Sequence, residues 1–457
     1  MSINPNITMN QVTWFVVMLL GFVLAVFIGS AVGSADLSTV WIVLGVGIGV
    51  ATFLALGAHY WVLIPLSLGA TFPALPLAGR FLDFPEVAIA GCSLIFLLRI
   101  ASRKEQLRVF RRVNIPILLF MAWVGLVFVL NPTGFASFGS ATVGARFYFK
   151  LLLAFAAFLI MSNREYSERD MRWVFGFLIF GACFALIYGF GANVFIGPQV
   201  DPTTGLVADE FYTWHQLLAG PPLTITFLIF ARWSPKQVFS LRHIGLSFLY
   251  FICILMVLVS GKRMAMLSIF IAPLVSAIVF KQFTYIIAAL MIASTSLTVV
   301  VAGHGQWFEL PLVAQRTVSW LPGDWDQELS GLQGGGDDFR AELRRVALKT
   351  IENNPVIGKG FSIDIQDTLT AIGMGRFGGS AEIQAAGFAL GRSWHNRWLG
   401  YAADFGIPLV VIQITIFIAV LVLAIKNFRV LGNSNLLGVF SLYVLIYTCR
   451  DIIASHT

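Results

Sequence analysis

Apolar positions come in long blocks along this chain, and polar residues are confined to the intervals between them. Blocks of about 17–25 residues recur near 12–33, 37–57, 59–76, 84–100, 114–131, 144–162, 172–193, 214–232, 243–260, 263–281, 283–301, 402–425 and 434–450. Each is long enough to cross roughly 30 Å of hydrocarbon. Backbone amides in lipid find no water, so such blocks are helices unless they close into a barrel. The pattern predicts an all-α, polytopic membrane protein with about 12–13 transmembrane helices.

One polar interval is too long for a connector. It divides the chain into 1–301 (transmembrane helices 1–11), a loop at 302–401, and 402–457 with the C-terminal transmembrane helices. Within the loop, "DDFRAELRRVALKTIENNPVIGKGF" places Phe339, Leu343, Val346, Ala347 and Ile351 at helical spacing, with Arg340 and Arg344 on another face. This predicts an amphipathic helix lying on a membrane surface, ended by Pro355 and a turn at Gly358 and Gly360. At its exit the loop reads "GRSWHNRWLGYAADFGIPL", a dense polar cluster that turns directly into an apolar block.

Composition agrees with the pattern. Of 457 residues, 58% are hydrophobic and 12% charged, and the mean hydropathy is +0.84, which excludes a soluble globular domain. No Lys or Arg precedes Arg80, so the first block reads as a span and not a cleaved signal. Cys92, Cys183, Cys253 and Cys449 all fall inside apolar blocks without paired spacing and imply neither disulfide nor metal. The formal charge of +7 reports topology here, not nucleic-acid binding.

Orientation follows from "RIASRKEQLRVFRR" at 99–112, which carries six basic residues and one acidic residue and so belongs in the cytoplasm. Counting spans from it puts the basic loops at 163–171, 232–242 and 426–429 on the same side. The loop at 302–401 then lies outside the cytoplasm. Three basic sites break the rule by sitting at outer ends of spans: Arg146 and Lys150 in "GARFYFK", Lys262 and Arg263 in "SGKRMAML", and "SWHNR" itself. Charges at membrane depth are costly and ask for a reason.

Arg146 and Lys150, four apart, share one helix face. They either snorkel to lipid headgroups or hold an anionic ligand. Lys262 and Arg263 occupy a tight corner, where they are interfacial anchors or, with Arg263 supplying a planar fork, phosphate ligands. His395 sits at a span boundary beside Arg neighbours that disfavour its charged form, so it is either structural or a neutral imidazole able to accept a proton near pH 7. No HExxH, CxxC or acidic cluster of ligand spacing occurs, so no bound metal is predicted.

The succession "FRAELRRVALKTIENNPVIGKGF", then "HNRWLGYAADFGIPL", with "SGKRMAML" upstream, resembles the bacterial O-antigen ligase and O-antigen (exopolysaccharide) polymerase superfamily. The order and spacing of the motifs carry the resemblance, over roughly 210–425. It implies a membrane glycosyltransferase that takes a glycan from undecaprenyl diphosphate on the periplasmic face of the bacterial inner membrane and passes it to an acceptor glycan or lipid, with no cofactor. His395 is then the catalytic base, and Arg263 holds the diphosphate. Lys262, Arg146, Lys150, Arg340, Asn396 and His215 are the further substrate-binding candidates. Many relatives carry an arginine before the eighth span; here that stretch reads "GLVADEFYTWHQLLAG", which leaves the part to His215 or to the Arg146/Lys150 pair. A transporter or flippase of lipid-linked sugars is the rival, although no inverted repeat supports it.

This topology predicts that single cysteines placed at 330 label only from outside the cytoplasm and those at 101–113 only from within. Cytoplasmic labelling at 330 would overturn the orientation.

Overall fold

The computed structural model describes residues 56–69, 75–77, 80–82, 84–107, 114–132, 145–196, 218–260, 262–310, 315, 325, 327–361 and 396–454. The blocks predicted at 12–33 and, almost entirely, 37–57 lie outside them. After a 3-10 turn at Gly57–Val62 come α1 (Leu63–Gly69) and a short antiparallel hairpin, β1 (Leu75–Leu77) with β2 (Arg80–Leu82), in which Leu75 pairs Leu82 and Leu77 pairs Arg80. The helices that follow are α2 (Phe84–Ala101), α3 (Ile115–Leu130), α4 (Ala145–Ser162), α5 (Glu168–Ile196), α6 (Gly220–Arg232), α7 (Pro235–Val238), α8 (Ile244–Val259), α9 (Arg263–Val279), α10 (Phe283–Gly303), α11 (Gln327–Asn353), α12 (Arg397–Phe405), α13 (Ile407–Leu431) and α14 (Leu436–Ala454).

The fold class is all-α and polytopic, as the apolar blocks require. Among the described residues Phe84–Ala101, Glu168–Ile187, Leu241–Leu258, Ile407–Leu431 and Leu436–Ile453 are long and apolar enough to cross a membrane, with shorter apolar helices at Ile115–Leu130 and Met264–Val279. Three blocks differ from expectation, one of them, at 402–425, being divided at Gly406. The run at 59–76 is not one straight span: α1 has seven residues, about 10 Å of helix, and strand β1 begins before the run ends. The run at 214–232 becomes a helix only from Gly220, where Pro221 and Pro222 occupy the first turn. Proline lacks the N–H that the first turn leaves unbonded anyway, so the pair begins a helix here and does not break one.

Two apolar cores hold the bundle. One joins α6, α8, α9, α13 and α14 around Phe230, Ile269, Leu442 and Ile446. The other joins the 3-10 turn, α1, α2, α4 and α5 around Tyr60, Trp61, Cys92 and Ile160. Between helices in lipid, close packing and hydrogen bonds supply the attraction that water would otherwise drive. Fully buried Ala231 and Ala272 let backbones approach, and the Ser276 hydroxyl donates to the Phe230 carbonyl at 2.9 Å. Outward-facing Leu94, Val129, Ile187 and Val422 give the bundle an apolar exterior that suits hydrocarbon.

Loops that the span count puts on one side do meet. Glu105, the one acid of the 99–112 loop, accepts from Arg99 Nε at 2.8 Å and Tyr60 at 3.0 Å and lies 3.6 Å from Arg164 of the 163–171 loop. At the same end Arg232 donates to the Asn433 carbonyl, closing α6 onto the α13–α14 connection.

Candidate functional site

At the opposite end of the bundle, the two motifs of the large loop are locked together through their backbones. Helix α11 ends at Asn353, and the segment 354–361 turns back onto the junction between α12 and α13. Lys359 N–H donates to the Ala403 carbonyl at 2.9 Å, Gly360 N–H to Asp404 at 2.7 Å, and Ile407 N–H to Pro355 at 2.9 Å. The junction itself is Gly406, with φ 81°, which splits the predicted span at 402–425 into a short α12 and a long α13. Gly358, with φ 71°, lies so close that a Cβ there would overlap the backbone of Asp404 and Phe405, and one on Gly406 would overlap the Val356 carbonyl. Both glycines thus serve a left-handed backbone and a close approach together.

Side chains complete the joint. Trp123 of α3 donates its indole N–H to the Phe405 carbonyl at 2.7 Å, and Asn131 reaches the Gly358 carbonyl at 3.4 Å. Phe361 and Phe405 are buried against Tyr148 and Val127, with ring centroids of Phe361 and Phe405 5.1 Å apart. Tyr148 also sits 4.9 Å from the Phe361 ring. The amphipathic stripe of α11 does not lie on a lipid surface: Leu343, Ala347, Val346 and Ile351 pack against Leu399 and Ala403 of α12, while Arg344, Arg345 and Lys349 face out.

Asn396 is the N-cap of α12, its side-chain oxygen accepting from Leu399 N–H at 3.1 Å. His395 therefore immediately precedes a helix whose start is fixed by a cap and whose end is fixed by the glycine joint. His395 itself, and His215, lie outside the described residues. Arg263 opens α9 and its neighbour Lys262, exposed, occupies the N-cap position of the corner. Arg340 is exposed on α11.

Arg146 and Lys150 face a residue that the sequence reading did not single out. Glu86, at the start of α2 and 6% exposed, pairs with the buried Arg146 guanidinium at 3.1 Å and 3.3 Å and with the Lys150 ammonium at 3.5 Å. Phe147 and Tyr148, on another face of α4, reach Phe361. Helix α4 thus presents Arg146 and Lys150 to Glu86 of α2, and Phe147 and Tyr148 to Phe361 beside the glycine joint. An acid at the outer end of a span was the available signal for Glu86, because a buried charge needs a partner.

A further charge cluster was also missed. Arg397, the first residue of α12, pairs with Asp451 near the end of α14, and Arg450 Nη1 lies 3.5 Å from the same carboxylate. Burial works against the Arg397 cation, but the hydrogen bond and charge of Asp451 outweigh it and raise its pKa. Among the described residues no three His, Cys, Asp or Glu side chains gather as metal ligands would.

Fold and site together define a multi-pass membrane protein whose loop motifs are built into one end of its helix bundle. Residues 248–414 match the O-antigen ligase family. That match supports the resemblance to the O-antigen ligase and polymerase superfamily and a glycan-transferring membrane function of that type. No curated protein matches the chain. The match includes the Lys262/Arg263 corner, the glycine joint and the His395–Asn396 pair, and excludes Glu86, Arg146, Lys150, Arg450 and Asp451.

Asn396→Ala should cost about 1 kcal/mol of stability by removing the cap, whereas Asn396→Asp, which keeps the acceptor, should restore both thermal stability and transfer. Loss of transfer in a stable Asn396→Asp variant would instead give the amide N–H a substrate-binding part.

Proposed function

We propose that the protein transfers a glycan from undecaprenyl diphosphate to an acceptor glycan or lipid on the periplasmic face of the inner membrane. The observation that most supports this reading is the glycine joint, which fixes the helix begun by the His395–Asn396 pair to the mouth of the bundle, where a membrane-embedded donor and a water-borne acceptor can both arrive. In this reaction the acceptor hydroxyl oxygen attacks the anomeric carbon. The bond from that carbon to the phosphate oxygen breaks, its electron pair leaves with the diphosphate, and the hydroxyl proton passes to His395. Negative charge grows on the leaving diphosphate, so cations belong where it develops.

Arg263 is the principal ligand, because its fork matches two phosphate oxygens at once. Lys262 adjoins it, and Arg340 and His215 complete the set of candidates. Arg146 and Lys150 enter as a second group of candidates, both paired with Glu86, with Lys150 the more exposed of the two. Trp394 and Trp398 are aromatic surfaces for a sugar face or interface anchors. A diphosphate is already a good leaving group, so the second carboxylic acid that glycosidases need is dispensable.

The test is release of undecaprenyl diphosphate from a lipid-linked glycan by the purified protein, with no nucleotide or ion gradient. Release is expected; transport across a vesicle without release would favour the flippase reading. His395→Ala should lower turnover by about 10²–10⁴-fold with donor affinity nearly intact. Arg263→Ala should abolish turnover in a folded protein, and Arg263→Lys should rescue it poorly. Lost donor binding with normal turnover at saturation would make His395 a donor ligand and move the search for a base to Asp404, Glu210 or Asp209.

A further inference from the structure

Arg450 and Asp451 near the end of α14 meet Arg397 at the start of α12. Asp451, 14% exposed in its side chain, is committed to Arg397. Arg450 reaches the same carboxylate only through Nη1, at 3.5 Å, and its guanidinium carbon lies 5.9 Å from the centroid of the Tyr447 ring. Its Nε is buried, and among the described residues it has no hydrogen-bond acceptor. A guanidinium has five N–H donors and cannot shed its charge, so a buried donor without an acceptor is a standing cost. The cluster as a whole keeps one net positive charge. It lies at the end of the bundle opposite the basic loops, where positive charge is disfavoured by the topology read above. An anion bound between the two arginines would remove both costs at once.

We propose that Arg450 and Arg397, with Asp451 between them, form a subsite for a phosphate group of the lipid-linked donor, beside the start of α12. The Tyr447 ring lies within cation–π range of the Arg450 guanidinium and packs beside it. Arg397 is the first residue of α12 and so follows His395 by two positions, which puts the subsite within a short reach of the proposed base. Asp451 sets the net charge: it holds Arg397 in place while leaving one cation uncompensated. A phosphate could also arrive as a membrane phospholipid headgroup, and the chemistry of recognition would be the same. The donor is the favoured source because the cluster is tied to α12, the helix that follows the catalytic motif. This assignment rests on the transferase reading for the identity of the donor, and on the geometry of Arg450 for the site.

Binding of undecaprenyl diphosphate without glycan to the full-length purified protein tests it, with thermal unfolding measured in parallel. Arg450→Gln should weaken binding about tenfold, equal to ~1.4 kcal/mol, and Arg450→Lys should recover part of it. Asp451→Asn should act in the opposite direction, binding roughly two- to fivefold tighter, the scale of one partly exposed charge interaction. A purely structural clamp between α12 and α14 would instead make both variants lose stability and affinity alike, and that result would overturn the proposal. So would unchanged affinity in Arg450→Gln. The same variants in nanodiscs of phosphatidylglycerol distinguish the sources: loss confined to that lipid would assign the cluster to a headgroup and overturn the donor assignment. Because the assay reads binding and not turnover, a protein that transfers no glycan can still pass it, and failure of the two readings is separable.

Discussion

Two glycines in left-handed conformation, meeting backbone to backbone, hold the loop of this protein to its membrane bundle. Gly358 and Gly406 allow the turn after α11 to lie directly against the α12–α13 junction, where three main-chain hydrogen bonds cross between segments about fifty residues apart in sequence. Main-chain pairing of this kind fixes position more tightly than side-chain contact, since neither partner has rotamers to lose. The rest of the site depends on it. The Trp123 and Asn131 bonds from α3 adjoin the joint, and α12, on which α11 packs, runs from it back to the Asn396 cap.

Near that joint, charges of opposite sign are paired among the described residues. Glu86 offsets one of Arg146 and Lys150, and Asp451 offsets one of Arg397 and Arg450. Breaking a buried pair strands a charge and is far more costly than the pair is stabilising, so such clusters are held in place by the penalty for their loss. At the other end of the bundle Glu105 offsets the basic 99–107 and 163–171 loops in the same way, but there the cations lie where the span count expects them. The far-end cations are the ones that depart from that expectation.

Much of the fold was legible because membrane helices announce themselves by length. From α2 onward most predicted blocks coincide with helices to within a few residues, since each amide in lipid must be bonded inside its own segment. The failures are local. The run at 59–76 was apolar throughout, but periodic hydrophobicity cannot tell a span from a short helix followed by a hairpin. The break at Gly406 was hidden for the same reason: a glycine in an apolar run has no sequence mark of its φ. Within the site, Pro355, Gly358 and Gly360 were read correctly as a helix end and turn, but their partner lay some fifty residues away and no periodicity connects the two. Glu86 and Asp451 stand out less in the sequence than the outer-end cations, because the positive-inside pattern marks misplaced Lys and Arg and not acids, although the cost of burying charge applies equally to both. Arg450 escaped because it closes the final apolar block, where a lone charge looks like a terminus. The sequence pattern of the His395 motif was legible through order and spacing alone, which is also what the O-antigen ligase match over residues 248–414 captures.

In the proposed reaction the joint acts as a catalytic support and not merely as a fold element, and a double-mutant cycle on Gly358 and Gly406 separates the two. Turnover and donor binding would be measured for Gly358→Ala, Gly406→Ala and the pair in protein that still purifies as a folded bundle. The account predicts that either alanine removes nearly all turnover while leaving donor affinity within a few-fold, and that the second costs little more once the first has opened the joint, since neighbours in one contact are not additive. Full turnover in either single variant, or losses that simply add, would contradict it.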